Sequence, residues 1–237
     1  MTASLCIKDV SNSYISRPWG IFGKKTEKHV LDRINLEIGK GEIFGLAGES
    51  GCGKTTLAGC ILGLLDYEGE IIINGRTQGK NTALRDRKKR AHDVQAIFQD
   101  PGASLNPAKT IGWILEEPLR VHGLGSSAER REKADRMLDL VGLDSSLKNR
   151  KPYELSSGQK QRVSIGAALM LEPGLIVADE AVSALDVSVT AQILNLLLEL
   201  NRRLELSLLF ISHNLDLLKC FCDRTAVMQN GRIAGYY

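Results

Sequence analysis

The residues with the clearest capacity for chemistry lie at positions 48–56, which read GESGCGKTT and match the spacing G-x-x-x-x-G-K-[ST]. Gly48, Gly51 and Gly53 let the backbone curl until successive N–H groups point at one anion. Glu49, Ser50 and Cys52 fill the turn between them. Lys54 brings a fixed positive charge to the outer phosphates of a nucleotide. Thr55 offers a hydroxyl to Mg²⁺, and with Thr56 it opens a helix whose positive dipole end faces the same anion. This is phosphate-binding chemistry, and by itself it does not separate kinases, GTPases, ATPases and motor proteins.

The elements needed to hold such a loop are legible around it. Residues 43–47 form a compact apolar run leading into the glycines, and TTLAGCILGLL from Thr55 has the apolar content of a buried helix. Residues 5–10 and 30–38 alternate apolar and polar side chains, as half-buried antiparallel strands do, with a Gly/Lys-rich loop over 16–28 between them. Residues 70–74 read as a strand closed by the Asn74-Gly75 turn, and 93–98 as another. The character then changes. Residues 110–122 and 127–142 are helical, the second placing Ala134, Met137, Leu138 and Val141 on one face, and 158–171 continues the block. A short buried strand returns at 175–178. A helix with Val189, Ile193, Leu196, Leu197, Leu200 and Leu204 inward follows, then an apolar strand at 206–211 and a hairpin across Asn230-Gly231. This order predicts one α/β domain over 1–237. Its core, 1–98 and 172–237, carries a mainly parallel sheet and an antiparallel β portion, with a helical lobe inserted over about 99–171.

At 237 residues the chain can bury a substantial core, and its formal charge of +3 gives no sign of a nucleic-acid partner. The basic run at 85–90 (RDRKKR) reads as a solvated helix face. Cys6, Cys52, Cys60, Cys220 and Cys222 are odd in number and irregularly spaced, which suits a reducing compartment better than a zinc site. Cys220 and Cys222 flank Phe221 near a helix end, where core packing is the expected role. The amino terminus lacks a signal-peptide layout, and apolar stretches such as 208–211 fall far short of the roughly 18 residues of a membrane span. Any membrane role is therefore expected to come through a partner.

Five further segments narrow the chemistry. Residues 155–162 read LSSGQKQR, 175–180 read LIVADE, 183–186 read SALD, His213 follows the apolar strand at 206–211, and Gln99 lies in IFQDP. In this order they resemble the signature, Walker B, D-loop, switch histidine and Q-loop of the ABC transporter ATPases. The resemblance spans nearly the whole chain and implies a P-loop NTPase core with an inserted helical subdomain. Asp179 ends a buried strand where a carboxylate can hold Mg²⁺ directly or through its water shell. Glu180, one residue further, can orient or deprotonate an attacking water. His213 can hydrogen-bond the γ-phosphate, and Gln99 can touch Mg²⁺ or water while linking the two lobes. Ser156, Ser157, Gly158 and Gln159 open a helix whose amino-terminal N–H groups suit an anion. In the family this edge serves the ATP of an opposite cassette, and Asp186 belongs to the D-loop that follows Walker B. A homodimer, or a heterodimer with a related cassette, is thereby implied. The family also places an adenine-stacking aromatic upstream of the glycine loop, for which Tyr14 is the candidate and Phe22 the alternative.

Ser157 replaces a usual glycine of the signature, Ala181 stands where proline is frequent, and Asn214 replaces a common aspartate. Neither Ala181 nor Asn214 removes a catalytic group, whereas the Ser157 side chain, standing where backbone and phosphate approach closely, is expected to tune activity down or to leave the better signature to a partner. Strings such as GESGCGKTTLA, DEAVSALDVSVTAQILNLL and FCDRTAVMQNGRI resemble the ATP-binding subunits of peptide and nickel importers. The resemblance implies ATP hydrolysis with Mg²⁺, permease subunits that hold the chain at the inner face of the membrane, and a solute-binding protein beyond them. An exporter ATPase shares every motif. A non-membrane ABC protein usually has two cassettes or a long coiled-coil insertion, neither of which is in this sequence.

Overall fold

The computed structural model describes residues 3–16, 26–78 and 84–237. Two long strands, β1 (Ala3–Ser16) and β2 (Thr26–Gly39), pair antiparallel, with Tyr14 opposite Lys28. Ser16 and residues 26–28, expected in a loop, therefore belong to strands. Phe22 lies outside the described residues. With β4 (Glu68–Ile73) and β5 (Arg76–Thr77) they make a four-stranded sheet ordered β2-β1-β4-β5. Between them in the chain come β3 (Ile43–Ala47) and α1 (Lys54–Leu62).

The second sheet is built on β3. After α2 (Leu84–Asp93), it takes in β6 (Val94–Ile97), β7 (Leu175–Asp179), β8 (Ser207–Ser212), β9 (Arg224–Gln229) and β10 (Arg232–Tyr236), in the order β10-β9-β3-β8-β7-β6. All its pairings are parallel except the terminal β9–β10 hairpin. Helices cover one face, and α1 with the apolar side of the four-stranded sheet covers the other, so the strands read as continuous apolar runs. Side chains nonetheless alternate between two cores. Ile176, Ala178, Leu208 and Phe210 join one cluster; Leu175, Val177, Leu209 and Ile211 join the other with Leu57 and Ile61 of α1.

Between β6 and β7 run α3 (Pro101–Ser104), α4 (Ile111–His122), α5 (Ser127–Leu140) and α6 (Ser157–Leu169), packed on one another. The last two helices are α7 (Val187–Leu204) and α8 (Leu215–Phe221). In α7, Ile193, Leu196, Leu197 and Leu200 are buried and Val189 is partly so, but Leu204 is 45% exposed. The apolar period overshoots because the helix ends there: Glu205 turns left-handed, at φ 50°.

The basic run on α2 is not wholly a solvated face. Arg90 is buried, with its Nε donating to Gln78 Oε1 at 2.9 Å. Cys220 is exposed, whereas Cys222 packs on the core and burial pushes its thiol up to about 12.

Candidate nucleotide-binding site

Parallel pairing brings the distant motifs to one edge of the sheet. Ala47 stands beside Ser212, Ile211 beside Asp179, and Ala178 beside Ile97. The strands β3, β8, β7 and β6 thus end together, and the loops they release converge on one crevice, as in other open α/β sheets. A cavity of about 390 Å³ lies there. The glycine loop supplies Ser50, Gly51, Gly53, Lys54, Thr55 and Thr56 to its wall; Gln99, Asp179, Glu180 and His213 face them.

The loop is held in shape before any ligand is considered. Gly53 caps α1 at φ 112°, and a Cβ there would lie 2.8 Å from Met228 Cε and 3.0 Å from the Val30 carbonyl. Only glycine fits both the backbone and the space. Lys54 is 7% exposed, and its Nζ donates to the carbonyls of Gly48 at 2.6 Å and Glu49 at 2.9 Å. The Cys52 N–H donates to the Glu49 carbonyl, and the Cys52 carbonyl accepts from Gly231 at 3.0 Å, which ties the loop to the β9–β10 turn.

Across the cavity, Glu180 has a left-handed backbone, at φ 52°, and its N–H donates to the Ile211 carbonyl at 3.0 Å. This turn swings its carboxylate toward the next strand end. There Oε1 accepts from the His213 N–H at 3.1 Å and lies 2.9 Å from His213 Nδ1. Burial pushes the Asp179 carboxyl above the usual carboxylate range; the Thr55 side chain opposes this, the Glu180 charge adds to it and the Lys54 ammonium opposes it. Asp179 Oδ1 is buried with no hydrogen-bond partner among the described residues.

That orphaned oxygen tests whether the site suits Mg²⁺. A carboxylate oxygen without a donor, beside the Thr55 hydroxyl and the Gln99 amide on the same wall, is a hard oxygen set of the type that ion prefers. The residues fit.

Not every expected residue reaches this cavity. Tyr14 is exposed on β1 and is not among its lining residues; Val30 of β2 is. No sequence signal marked Val30, an aliphatic residue in a strand. Ser156, Ser157, Gly158 and Gln159 are also absent from the wall. They build the start of α6, where the Ser156 hydroxyl accepts from the Gln159 N–H at 3.3 Å and Gln159 Oε1 accepts from the Ser156 N–H at 3.0 Å. Ser157 has no left-handed backbone, so its Cβ brings no strain. Gly158 is different: a Cβ there would lie 2.8 Å from Val189 Cγ1 of α7. Asp186 caps α7 with its carbonyl, accepting from Thr190 at 2.8 Å, and leaves its exposed side chain free of any capping bond.

Comparison with known proteins agrees with this arrangement. The family model described as ABC transporter matches residues 31–183. A putative peptide import ATP-binding protein of Brucella ovis is 48% identical over 205 residues, covering 86% of this chain and 64% of that protein. The chain thus spans under two thirds of the length of that relative. The oligopeptide transport ATP-binding protein AppF of Bacillus subtilis is 41% identical, over 96% of this chain and 69% of its own length. A solved structure described as a dimeric post-hydrolysis state of the ATP-binding cassette MJ0796 bound to ADP and Pi superposes with a TM-score of 0.84. It is 29% identical, and the match covers 98% of this chain and 97% of that one. With a glycine loop, paired carboxylates and histidine meeting at the ends of a parallel sheet, and a helical insertion between β6 and β7, the chain belongs to the ABC transporter family and has the fold of its ATP-binding cassettes.

Proposed function

We propose that this chain binds ATP with Mg²⁺ in the cavity behind residues 48–56 and hydrolyses it to power an ABC importer of peptides. The observation that carries the reading is the meeting of Lys54, Thr55, Gln99, Asp179, Glu180 and His213 around one cavity from four strand ends. The peptide class is supported by the names of the Brucella and Bacillus relatives. The nickel alternative rests on local strings alone.

Gly48, Gly51, Gly53 and the first turn of α1 would cradle the phosphates with backbone N–H groups, and Lys54 would meet the β- and γ-phosphates. Tyr14, exposed on β1, is the aromatic assigned to the adenine. Thr55, Asp179 and Gln99 would hold Mg²⁺, which supplies charge neutralisation at the phosphate oxygens. Glu180 would orient and deprotonate the attacking water, and His213 would hydrogen-bond the γ-phosphate while steadying Glu180.

Residues 156–159 and Asp186, outside the chain's own cavity, would serve the nucleotide of a second cassette. Residues 99–171 would act as the lobe that docks on permease subunits at the inner membrane face, with a solute-binding protein acting through that permease. Closure of the cassette pair would follow from tighter binding of ATP to the closed state.

The test is steady-state turnover of purified chain with MgATP, followed by peptide uptake into vesicles carrying its permease pair. ATP-dependent uptake that is lost in Lys54→Ala is the expected result. Nucleotide binding without turnover in the full complex would overturn the ATPase reading, and ATP-driven export of the same peptides would overturn the importer reading.

A further inference from the structure

One polar side chain in the signature segment is placed against ordinary physical preference. Gln161 of α6 is fully buried, and neither Oε1 nor Nε2 has a hydrogen-bond partner among the described residues. A buried amide left unpaired at both ends is costly, and an apolar side chain of the same shape would remove that cost. Its place in the fold suggests what the amide is for. Gln161 shares a helix face with Gly158, three residues earlier, where α6 meets Val189 of α7. Ile165 and Ala168 continue that buried stripe. The helix also packs on β6 and α3, the two elements that flank Gln99. Within its sheet β6 is an edge strand, paired on one side to β7. A glutamine amide carries the donor and acceptor that a free strand edge, or the loop continuing it, can take up.

We propose that Gln161 is a positioning residue whose amide finds its partners on the segment 94–100 only in the nucleotide-bound arrangement, tying the Ser156–Gly158 edge to the Gln99 loop. A bond absent in one state and made in the other moves the equilibrium toward the second. The strand edge, the Gln99 loop and the signature helix then shift as one unit when ATP arrives. This rests on the ATPase reading above.

The test uses Gln161→Met, which keeps length and volume without hydrogen bonding, and Gln161→Leu as a second apolar variant. Three quantities are read: the Tm without nucleotide, the rise in Tm on adding MgATP, and kcat against KM. The nucleotide-free Tm should hold or rise. The MgATP-induced rise should shrink, and kcat should fall about five- to tenfold, the worth of a hydrogen bond or so, with KM little changed. Unchanged kcat in both variants would overturn the proposal. A nucleotide-free Tm that falls together with kcat would also overturn it, since the amide would then be an ordinary structural group. A parent without turnover in the full complex overturns the ATPase reading and this proposal together; a turning-over parent with unaffected variants overturns this proposal alone.

Discussion

Glu180 and His213, 33 positions apart, are joined through both the imidazole and the backbone of the histidine: Nδ1 lies 2.9 and 3.0 Å from the two carboxylate oxygens, and the N–H donates to Oε1 at 3.1 Å. A carboxylate can only accept, so Nδ1 carries the proton and Nε2 is the nitrogen left for a ligand. The proposed base is therefore held in place by the residue proposed to touch the γ-phosphate.

Glu180→Gln should retain MgATP binding and lose turnover by about 10²- to 10⁴-fold, the usual worth of a positioned general base. Nucleotide binding and phosphate release, measured on the same preparation, separate the two effects. Turnover within a few fold of the parent would remove Glu180 from the chemistry.

Lys54→Ala should weaken MgATP binding by about 10- to 100-fold, since charge-assisted hydrogen bonds to phosphate are lost. The readout is the MgATP-induced rise in Tm, which should nearly vanish. An undiminished rise would contradict the assignment of the glycine loop.

Asp179 gives a prediction with a definite sign. Its folded carboxyl binds a proton more tightly than the unfolded one, so its ionisation opposes folding. The penalty is absent below the ordinary value of 3.8, grows as pH rises from there to the raised folded value, and is constant above it. Asp179→Asn should accordingly melt higher than the parent at pH 7 without nucleotide, and the difference should close as the pH falls below the ordinary carboxylate value. The same variant should lose Mg²⁺-dependent turnover, as chelation should in the parent. A lower melting point at pH 7 would show that the ionised carboxylate is satisfied in a way the geometry does not suggest.

At the signature, two neighbouring positions should respond unequally. Gly158→Ala should cost about 1–3 kcal/mol, because its new methyl meets Val189 in a packed contact. Adding Val189→Ala to that chain should restore most of the loss. Ser157→Gly should cost at most about 1 kcal/mol, the entropy of a helix-end glycine, and should preserve or raise turnover. Chemical denaturation and ATPase rates check both, and a sharp loss of rate in Ser157→Gly would give the serine a role of its own.

Much of this was readable in the sequence because motif, strand and turn chemistry agree locally. Residues 43–47 are a strand leading into a glycine loop, and the Asn230-Gly231 hairpin forms where the turn residues placed it. What escaped depends on distant partners. The strands β1 and β2 continue through Ser16 and from Thr26 because each pairs with the other, which local composition at 16–28 does not reveal. Arg90 sits in a run that reads as solvated, yet Gln78 draws it inside. The Glu180–His213 ring and the orphaned amide of Gln161 carry no signature in spacing, since each is decided by what lies across a packed interface.

The Lys54 ammonium, enclosed by the carbonyls of Gly48 and Glu49, has a consequence for how a phosphate is met. Much of its hydration was shed when the chain folded, and two neutral dipoles took the place of water. An arriving phosphate exchanges those dipoles for anionic oxygens instead of stripping an ion from bulk solvent. Part of the dehydration cost of recognition is therefore borne by folding stability, and the Lys54 ammonium, 7% exposed, meets its ligand already largely desolvated.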